Sequence, residues 1–159
     1  MHMKGKWKTY LFWVALAEGV GALSGRLNRG GVERYEQTVT QPPLTPPGFV
    51  FPIVWGILFA LMGIGAARVY MTPASNARSR GLLLWLVQLA FNFLWSIVFF
   101  NFRAYAFAFF WLIALWLLIL WMTVCFYRVD KVAALIQIPY LLWVAFAGYL
   151  TYGVWMLNG

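Results

Sequence analysis

The sequence has little charge, and most of that charge is of one sign. Only 10% of the 159 residues are charged, and four acids stand against twelve lysines and arginines, which gives a net charge of +8. Hydrophobic residues make up 64% of the chain and the mean hydropathy is +0.76, whereas soluble domains are about 45–50% apolar and about 25% charged. A soluble domain of this length could not bury so much apolar surface, so the sequence predicts an integral membrane protein.

Cysteine and histidine are nearly absent. Cys125 is the only cysteine, which excludes an internal disulfide, a CxxC motif and a cysteine metal cluster. His2 is the only histidine and lies at the terminus. The sequence therefore predicts no metal site and no cofactor, and it offers no set of residues for acid–base catalysis. The basic residues lie mostly between apolar runs, which indicates membrane topology and headgroup contacts rather than nucleic-acid binding.

Long apolar runs are what the chain does contain. A membrane span needs about 20 mostly apolar residues, and five segments satisfy or approach this length: about 9–25, 48–70, 81–101, 104–127 and 132–157. We therefore predict one domain, 1–159, with an all-α fold of five transmembrane helices. The first segment is the weakest because Glu18 interrupts it. The same residue favours a retained span over a cleaved secretory signal.

Two connections between the predicted spans differ from each other in length and composition. Residues 26–47 are too polar and too rich in proline to span, and too long for a simple turn, so we predict a long first loop that acts as a lid. Thr45 is expected to cap the second span, with Pro46 and Pro47 in its first turn. Residues 101–103 are so few that the third and fourth spans should form a tight antiparallel hairpin.

The distribution of cations predicts the orientation of the bundle. Cytoplasmic loops carry an excess of lysine and arginine. One side would carry eight of the twelve cations, Lys4, Lys6, Lys8, Arg68, Arg78, Arg80, Arg128 and Lys131, and the other would carry Arg26, Arg29, Arg34 and Arg103. This bias favours a cytoplasmic N-terminus, and the chain is expected in a bacterial cell membrane.

Few polar side chains fall within the predicted spans. Glu18 is a functional candidate, because a carboxyl group at membrane depth is costly; alternatively it pairs with a loop arginine or meets water in a short, tilted helix. Gln88, Asn92 and Trp95 follow the spacing i, i+4, i+7 on one helical face. These side chains either contact a ligand or hold helices together.

Two further helical faces are aromatic. Trp55, Phe59 and Met62 share one face of the second span, and Pro139, Trp143 and Ala147 share one face of the fifth. A cavity lined by flat rings and a few amides suits a large planar apolar ligand, although such rings are also common in packing and at the membrane interface. The small-residue pairs Gly21/Gly25 and Gly63/Ala67 predict close helix contact or dimerisation.

Three stretches, taken in order, resemble the TspO/MBR family, also called translocator proteins, peripheral benzodiazepine receptors or tryptophan-rich sensory proteins. They are TPPGFVFPIVWGILFALMG, QLAFNFLWSIVFF and IPYLLWVAFAGYL. The resemblance implies a five-helix bundle, commonly a homodimer, that binds porphyrins such as protoporphyrin IX and benzodiazepine-type drugs. Ligand-binding residues are predicted at Tyr35, Trp55, Phe59, Gln88, Asn92, Trp95, Trp143 and Ala147, of which the resemblance itself matches Trp55, Asn92, Trp143 and Ala147.

The resemblance has departures and leaves the function open. Residues 41–47 read QPPLTPP and lack the basic residue and the tryptophan of the family's lid, and Arg34 stands where many members carry tryptophan. The leading prediction is a membrane receptor for tetrapyrroles with a sensory, regulatory or porphyrin-handling role. One alternative is light-dependent oxidative breakdown of porphyrin at Trp55 and Trp143, and another is proton-coupled export of hydrophobic compounds through Glu18.

Overall fold

Every element that the structure describes is helical. A computed structural model of the chain describes residues 3–159, with side chains from residue 5 onward, so His2 and the side chain of Lys4 lie outside it. The helices in chain order are α1 (Met3–Leu27), α2 (Arg29–Thr38), α3 (Val50–Tyr70), α4 (Asn76–Ser96) with a π-helical turn (Ile97–Asn101) at its end, α5 (Tyr105–Tyr127), α6 (Lys131–Leu135) and α7 (Ile138–Asn158). The predicted all-α fold is confirmed.

Four of these helical stretches are long and apolar enough to cross a membrane. They are α3, α4 with its π-helical turn, α5, and α6 together with α7. The shortest has 21 residues, which is about 32 Å at ~1.5 Å per residue and matches a hydrocarbon core of about 30 Å. They correspond to the predicted segments 48–70, 81–101, 104–127 and 132–157. Only the start of α4 differs by more than a few residues, because Ser75 caps the helix there and accepts the Arg78 N–H at 3.1 Å.

The helix α1 has 25 residues and exceeds the predicted segment 9–25 at both ends. It does not reach the hydropathy of the other four stretches, because lysines, glycines and Glu18 dilute its apolar residues. It nevertheless packs closely along α3 in the antiparallel direction. A β-carbon added to Gly63 would collide with the backbone of Val14, and one added to Gly21 would collide with the Phe59 ring. The close helix contact predicted at Gly21 and Gly63 is therefore confirmed within the chain.

The predicted hairpin between the third and fourth spans is confirmed as the pair α4 and α5. The turn closes with hydrogen bonds from Phe102 N to Ile97 O (3.1 Å) and from Ala104 N to Val98 O (3.2 Å). Farther along the pair, the Trp111 indole N–H donates to Phe91 O at 2.9 Å, and the two rings stack with centroids 4.4 Å apart. Helix α5 also packs against α7, so it contacts both α4 and α7.

The last predicted span is interrupted near its start. Helix α6 ends at Leu135 and α7 begins at Ile138, with Pro139 in its first turn. Proline has no N–H and clashes with the carbonyl four residues earlier, so a continuous helix cannot pass through this position. The Gln137 side chain stabilises the break, since its Nε2 donates to Leu61 O (3.0 Å) and Ala133 O (3.3 Å).

The first connection differs from the prediction of an irregular loop. Residues Arg29–Thr38 form α2, a polar helix with its buried Gly31 against the end of α4, and only residues 39–49 are irregular. The prediction that Thr45 caps the next helix was wrong: α3 begins at Val50, and the Thr45 hydroxyl donates to Pro42 O at 2.6 Å. A residue before proline avoids the helical region, so Thr45 and Pro46 cannot begin the helix.

Candidate functional site

A buried polar network lies between α4 and α7. The Tyr140 hydroxyl donates to Gln88 Oε1 at 2.7 Å and accepts a hydrogen bond from Asn92 Nδ2 at 2.7 Å. Tyr140 and Gln88 have no exposed surface, and Asn92 is only 7% exposed. Gln88 Nε2 also donates to Trp85 O at 2.9 Å. Polar groups in such an environment are costly unless they are paired, so the network fixes the positions of all three side chains.

Tyr140 is the functional candidate that the sequence interpretation missed. The predicted face of α7 was Pro139, Trp143 and Ala147, but Pro139 is exposed, whereas Tyr140 and Val144 are buried. Trp143 and Ala147 lie half-buried at the edge of the true inner face. The available signal was the spacing of Tyr140, Val144, Leu150 and Val154, which follows the helical repeat as well as the aromatic set does.

Helix α3 brings its predicted aromatic face to the same network. The Trp55 ring packs against Phe59, with centroids 5.6 Å apart, and against Tyr140, with centroids 6.2 Å apart at an angle of 76°. Phe59 is 8% exposed, and Met62 is fully buried. The structure therefore places Trp55, Phe59 and Met62 on one inward face, as the spacing predicted.

Trp143 extends this aromatic contact between α3 and α7. Its ring lies 5.8 Å from that of Phe51 on α3 and 5.5 Å from that of Phe146 on its own helix. The backbone of α3 lies close to that of α6. Farther along the chain, the rings of Phe51 and Trp143 make the contact between α3 and α7. We call Trp55, Phe59, Tyr140 and Trp143, with the amides of Gln88 and Asn92, the inner group.

Trp95 and Tyr35 belong to a second group of aromatic side chains at the end of α4. We call Trp95, Tyr35, Phe99 and Phe100 the outer group. Trp95 stacks on Phe99 with centroids 5.2 Å apart, and Tyr35 of α2 contacts Phe99 at 5.3 Å and Phe100 at 5.4 Å. Trp95 packs against both apolar clusters of the bundle, so it connects the two groups. Burial raises the pKa of the Tyr35 hydroxyl to about 12, and Tyr105 and Glu36 act in the same direction.

The first connection is fastened across the end of the bundle at two places. On the α4 side, Arg34 Nη2 donates to Phe100 O (3.1 Å) and Asn101 O (3.3 Å). On the α7 side, Thr40 exchanges two hydrogen bonds with the Asn158 side chain, at 3.0 and 2.7 Å. The Tyr149 hydroxyl also donates to Pro43 O at 2.8 Å. Residues 29–43 thus extend from the end of α4 to the end of α7.

A smaller polar cluster joins α1 to α4 beneath this connection. Asn28 Nδ2 donates to Ser96 Oγ at 2.8 Å and to Ser24 Oγ at 3.2 Å, and the two serine hydroxyls are 2.7 Å apart. Asn28 is 2% exposed, yet its Oδ1 has no hydrogen-bond partner among the described residues. Sequence reasoning did not single out Asn28, because it follows an apolar helix at a position that resembles an ordinary helix end.

Two apolar hollows lie on the outer surface of the bundle. One, of about 540 Å³, is lined by one face of α1, with Trp7, Lys8, Leu11, Phe12, Ala15 and Leu16. The other, of about 360 Å³, lies between α5 and α7 and is lined by Phe109, Leu112, Ile113, Trp116, Val144, Ala145, Gly148, Tyr149 and Tyr152. Neither is lined by Trp55 or Trp143. In the inner group, the aromatic rings contact one another, as Trp55 does with Phe59 and Tyr140.

The helices and their apolar surfaces define an integral membrane protein built as a helical bundle. The model of the TspO/MBR family matches residues 13–156, and the chain belongs to this family. Protein CrtK of Rhodobacter capsulatus is 38% identical over 122 residues, which is 76% of each chain. The tryptophan-rich protein TspO of Chlorobaculum tepidum is 34% identical over 94% of this chain and 96% of its own. Human translocator protein is 33% identical over 90% of this chain and 86% of its own.

Proposed function

We propose that this protein binds tetrapyrroles resembling protoporphyrin IX, and other flat hydrophobic molecules of the benzodiazepine type, between α3, α4 and α7. The observation that carries this proposal is the inner group, in which rings from α3 and α7 meet around a buried network anchored on α4. The role of the protein is sensory, regulatory or porphyrin-handling. Membership of the TspO/MBR family supports this assignment.

The chemistry of the inner group suits a flat ligand. Trp55 and Trp143 offer indole faces on α3 and α7, and aromatic rings prefer offset or edge contacts with another ring system. Asn92 is anchored by Tyr140, so its amide is a fixed polar contact. Ala147 has a small side chain next to these rings. A ligand would enter by replacing ring-to-ring contacts such as that of Phe51 with Trp143.

The surrounding elements complete the proposal. Helix α1 is the fifth span, because it packs along α3 and shares the apolar core through Trp13, Leu16 and Ala17. Residues 29–49, which include α2 and Tyr35, form the lid over the outer end of the site. The protein is a homodimer in a bacterial cell membrane, with its N-terminus in the cytoplasm.

Binding of protoporphyrin IX to the purified protein tests the site directly. Titration with the porphyrin, followed by quenching of tryptophan fluorescence, should give saturable binding. Trp143→Ala and Asn92→Ala should each weaken binding by about tenfold, equivalent to ~1.4 kcal/mol, because one removes a ring wall and the other a polar contact. Trp121→Ala is the matched control, since Trp121 is 53% exposed on the outer face of α5. Unchanged affinity in both site variants would remove the assignment.

Two alternatives predict different measurements. Light-dependent breakdown of porphyrin would use the same tryptophans, and it requires a defined product that disappears in Trp55→Phe or Trp143→Phe. Proton-coupled export would need Glu18, which lies partly exposed on α1 and has no ion pair among the described side chains. Uptake into proteoliposomes that depends on a proton gradient and is lost in Glu18→Gln would support export.

A further inference from the structure

The hollow on α1 has a cation at one end and apolar side chains along the rest of its length. Its volume is about 540 Å³, and its lining consists of Trp7, Lys8, Leu11, Phe12, Ala15 and Leu16. The hollow between α5 and α7, by contrast, has no charged residue in its described lining. A molecule that fills the hollow on α1 therefore needs one polar end and a long apolar part.

The polar end of this hollow offers hydrogen-bond donors. Lys8 Nζ lies 5.8 Å from the centre of the Trp7 ring, and both side chains are exposed. An ammonium group and an indole N–H can donate but cannot accept. The only salt bridge among the described side chains joins Arg68 to Asp130, so Lys8 has no carboxylate partner within that part of the chain. The polar end thus suits an anionic acceptor.

Other cations surround the end of the bundle at which α1 begins. Trp13 of α1 contacts Tyr70 at the end of α3, with ring centroids 5.7 Å apart. Arg78 lies over the Tyr70 ring at 5.0 Å, and Lys131 lies over the Tyr127 ring at 5.7 Å. Half-exposed tyrosines beside cations are typical of the level of the lipid headgroups. At this level, a concentration of lysine and arginine attracts anionic lipids.

The apolar part of the hollow has the length of one bilayer leaflet. From Trp7 to Leu16, α1 rises by about 14 Å at ~1.5 Å per residue, and half of a hydrocarbon core of about 30 Å is ~15 Å. Leu11, Phe12 and Ala15 are exposed along this stretch. An acyl chain that begins at the headgroup level would lie against these three side chains.

A second copy of the chain suits this face less well than a lipid. Copies in one membrane share their orientation, and a two-fold interface uses the same surface of both subunits. Contact through the hollow would therefore bring the two Lys8 side chains towards each other, and the described lining contains no acid that could separate them. An anionic lipid would instead neutralise the lysine.

We propose that the hollow on α1 binds an anionic phospholipid, with the phosphate at Trp7 and Lys8 and an acyl chain along Leu11, Phe12 and Ala15. This site is separate from the ligand site between α3, α4 and α7, and it rests on the proposed function only in that α1 is the fifth span. The bound lipid covers the outer face of α1, while the opposite face packs against α3.

Photoreactive lipids test the site in the full chain. Phosphatidylglycerol and phosphatidylcholine with the same diazirine-bearing acyl chain are each added as a small fraction to phosphatidylcholine nanodiscs that contain the protein. After illumination, mass spectrometry of peptides measures the labelling of residues 9–16 relative to that of α5. The anionic lipid should label this segment about fivefold more strongly than the zwitterionic lipid, because the two differ only in their headgroups.

Three variants separate the contributions of charge and shape. Lys8→Gln should remove the preference for the anionic lipid and leave labelling by the zwitterionic lipid unchanged. Arg26→Gln is the matched control, since it removes an exposed cation from the last turn of the same helix and should preserve the preference. Ala15→Phe should fill the hollow and reduce labelling by both lipids. All three positions are exposed, and continued labelling of α5 reports that each variant is folded.

The outcomes distinguish the lipid from other occupants. Soluble glycerol phosphate in excess should not compete, because it lacks an acyl chain; competition would indicate a site for free phosphate esters and overturn the proposal. Loss of the dimer in Ala15→Phe, with lipid labelling unchanged, would assign the hollow to a second copy.

The same samples separate this site from the proposed function. Equal labelling of residues 9–16 by the two lipids, or a full preference in Lys8→Gln, would overturn the lipid site and leave α1 as a span. Labelling of α3 and α5 without any labelling of α1 would overturn both the lipid site and the fifth span. Titration with protoporphyrin IX reports independently on the inner group and should give the wild-type affinity in Lys8→Gln.

Discussion

At the scale of single residues, Tyr140 determines how the candidate site is held. Its hydroxyl uses a donor and an acceptor position on two amides of α4. The spacing of Gln88 and Asn92 in the sequence predicted that both would face inward, and they do. The sequence could not show which partner they meet, because a hydrogen bond between α4 and α7 depends on how the two helices are rotated against each other.

Tyr140→Phe should therefore destabilise the protein by about 1–3 kcal/mol, because Gln88 Oε1 and Asn92 Nδ2 lose a partner while buried. Thermal unfolding in detergent, followed by circular dichroism, measures this. Tyr127→Phe is the control, since Tyr127 is half exposed on α5 and should change little. Equal unfolding temperatures for the two variants would show that the network does not contribute to stability.

Tyr35 predicts how the outer group responds to alkaline pH. Its folded-state pKa is raised from 10 to about 12, so the folded protein favours the neutral phenol. This contribution to stability is complete below pH 10 and is lost as pH rises through about 12, because the unfolded chain then ionises more readily. The difference in tyrosinate absorbance between wild type and Tyr35→Phe should titrate near pH 12. Titration near pH 10 would mean that α2 does not cover the ring.

At the scale of elements, the positions of the apolar helices could be predicted from the sequence, but their ends and interruptions could not. Runs of apolar residues longer than a bilayer core allow few alternatives, so α3 and α5 fall where expected. Helix α2, inside the polar connection, was not predicted, because it is stabilised by contacts with the end of α4 and not by an apolar run of its own. The break before Pro139 was also missed, although the physics of proline predicts it.

The close contact between α1 and α3 depends on Gly63. Gly63→Ala should destabilise the protein by about 1–3 kcal/mol, because the added methyl group meets the Val14 backbone, which cannot move aside without separating the helices. Gly25→Ala is the matched control, because open space surrounds Gly25 and alanine favours helix by up to ~1 kcal/mol. Chemical or thermal unfolding in detergent compares the two. A Gly63 variant as stable as the Gly25 variant would contradict the packing.

At the scale of the whole molecule, the cations are distributed unequally between the two ends of the bundle. Helices α3 and α5 end, and α1, α4 and α6 begin, at the end that carries Lys6, Lys8, Arg68, Arg78, Arg80, Arg128 and Lys131. At that end Asp130 pairs with Arg68 at 2.7 Å. The opposite end carries Arg26, Arg29, Arg34 and Arg103 together with Glu33 and Glu36. This asymmetry predicts that the end with fewer cations faces away from the cytoplasm.

Labelling in intact cells tests the orientation. In a Cys125→Ser background, Thr38→Cys and Ser79→Cys place single thiols at exposed positions on opposite ends. A membrane-impermeant maleimide should label Thr38→Cys and leave Ser79→Cys unlabelled until the membrane is permeabilised. The reverse pattern would mean that the lid faces the cytoplasm.

The structure of the complex with protoporphyrin IX shows directly whether rings from α3 and α7 converge to bind a flat ligand. We expect density for the macrocycle between α3 and α7, in contact with Trp55 and Trp143 and next to the Asn92–Tyr140 pair. Density confined to the hollow between α5 and α7, or to the hollow on α1, with the contact between Trp55 and Tyr140 unchanged, would contradict binding at the inner group.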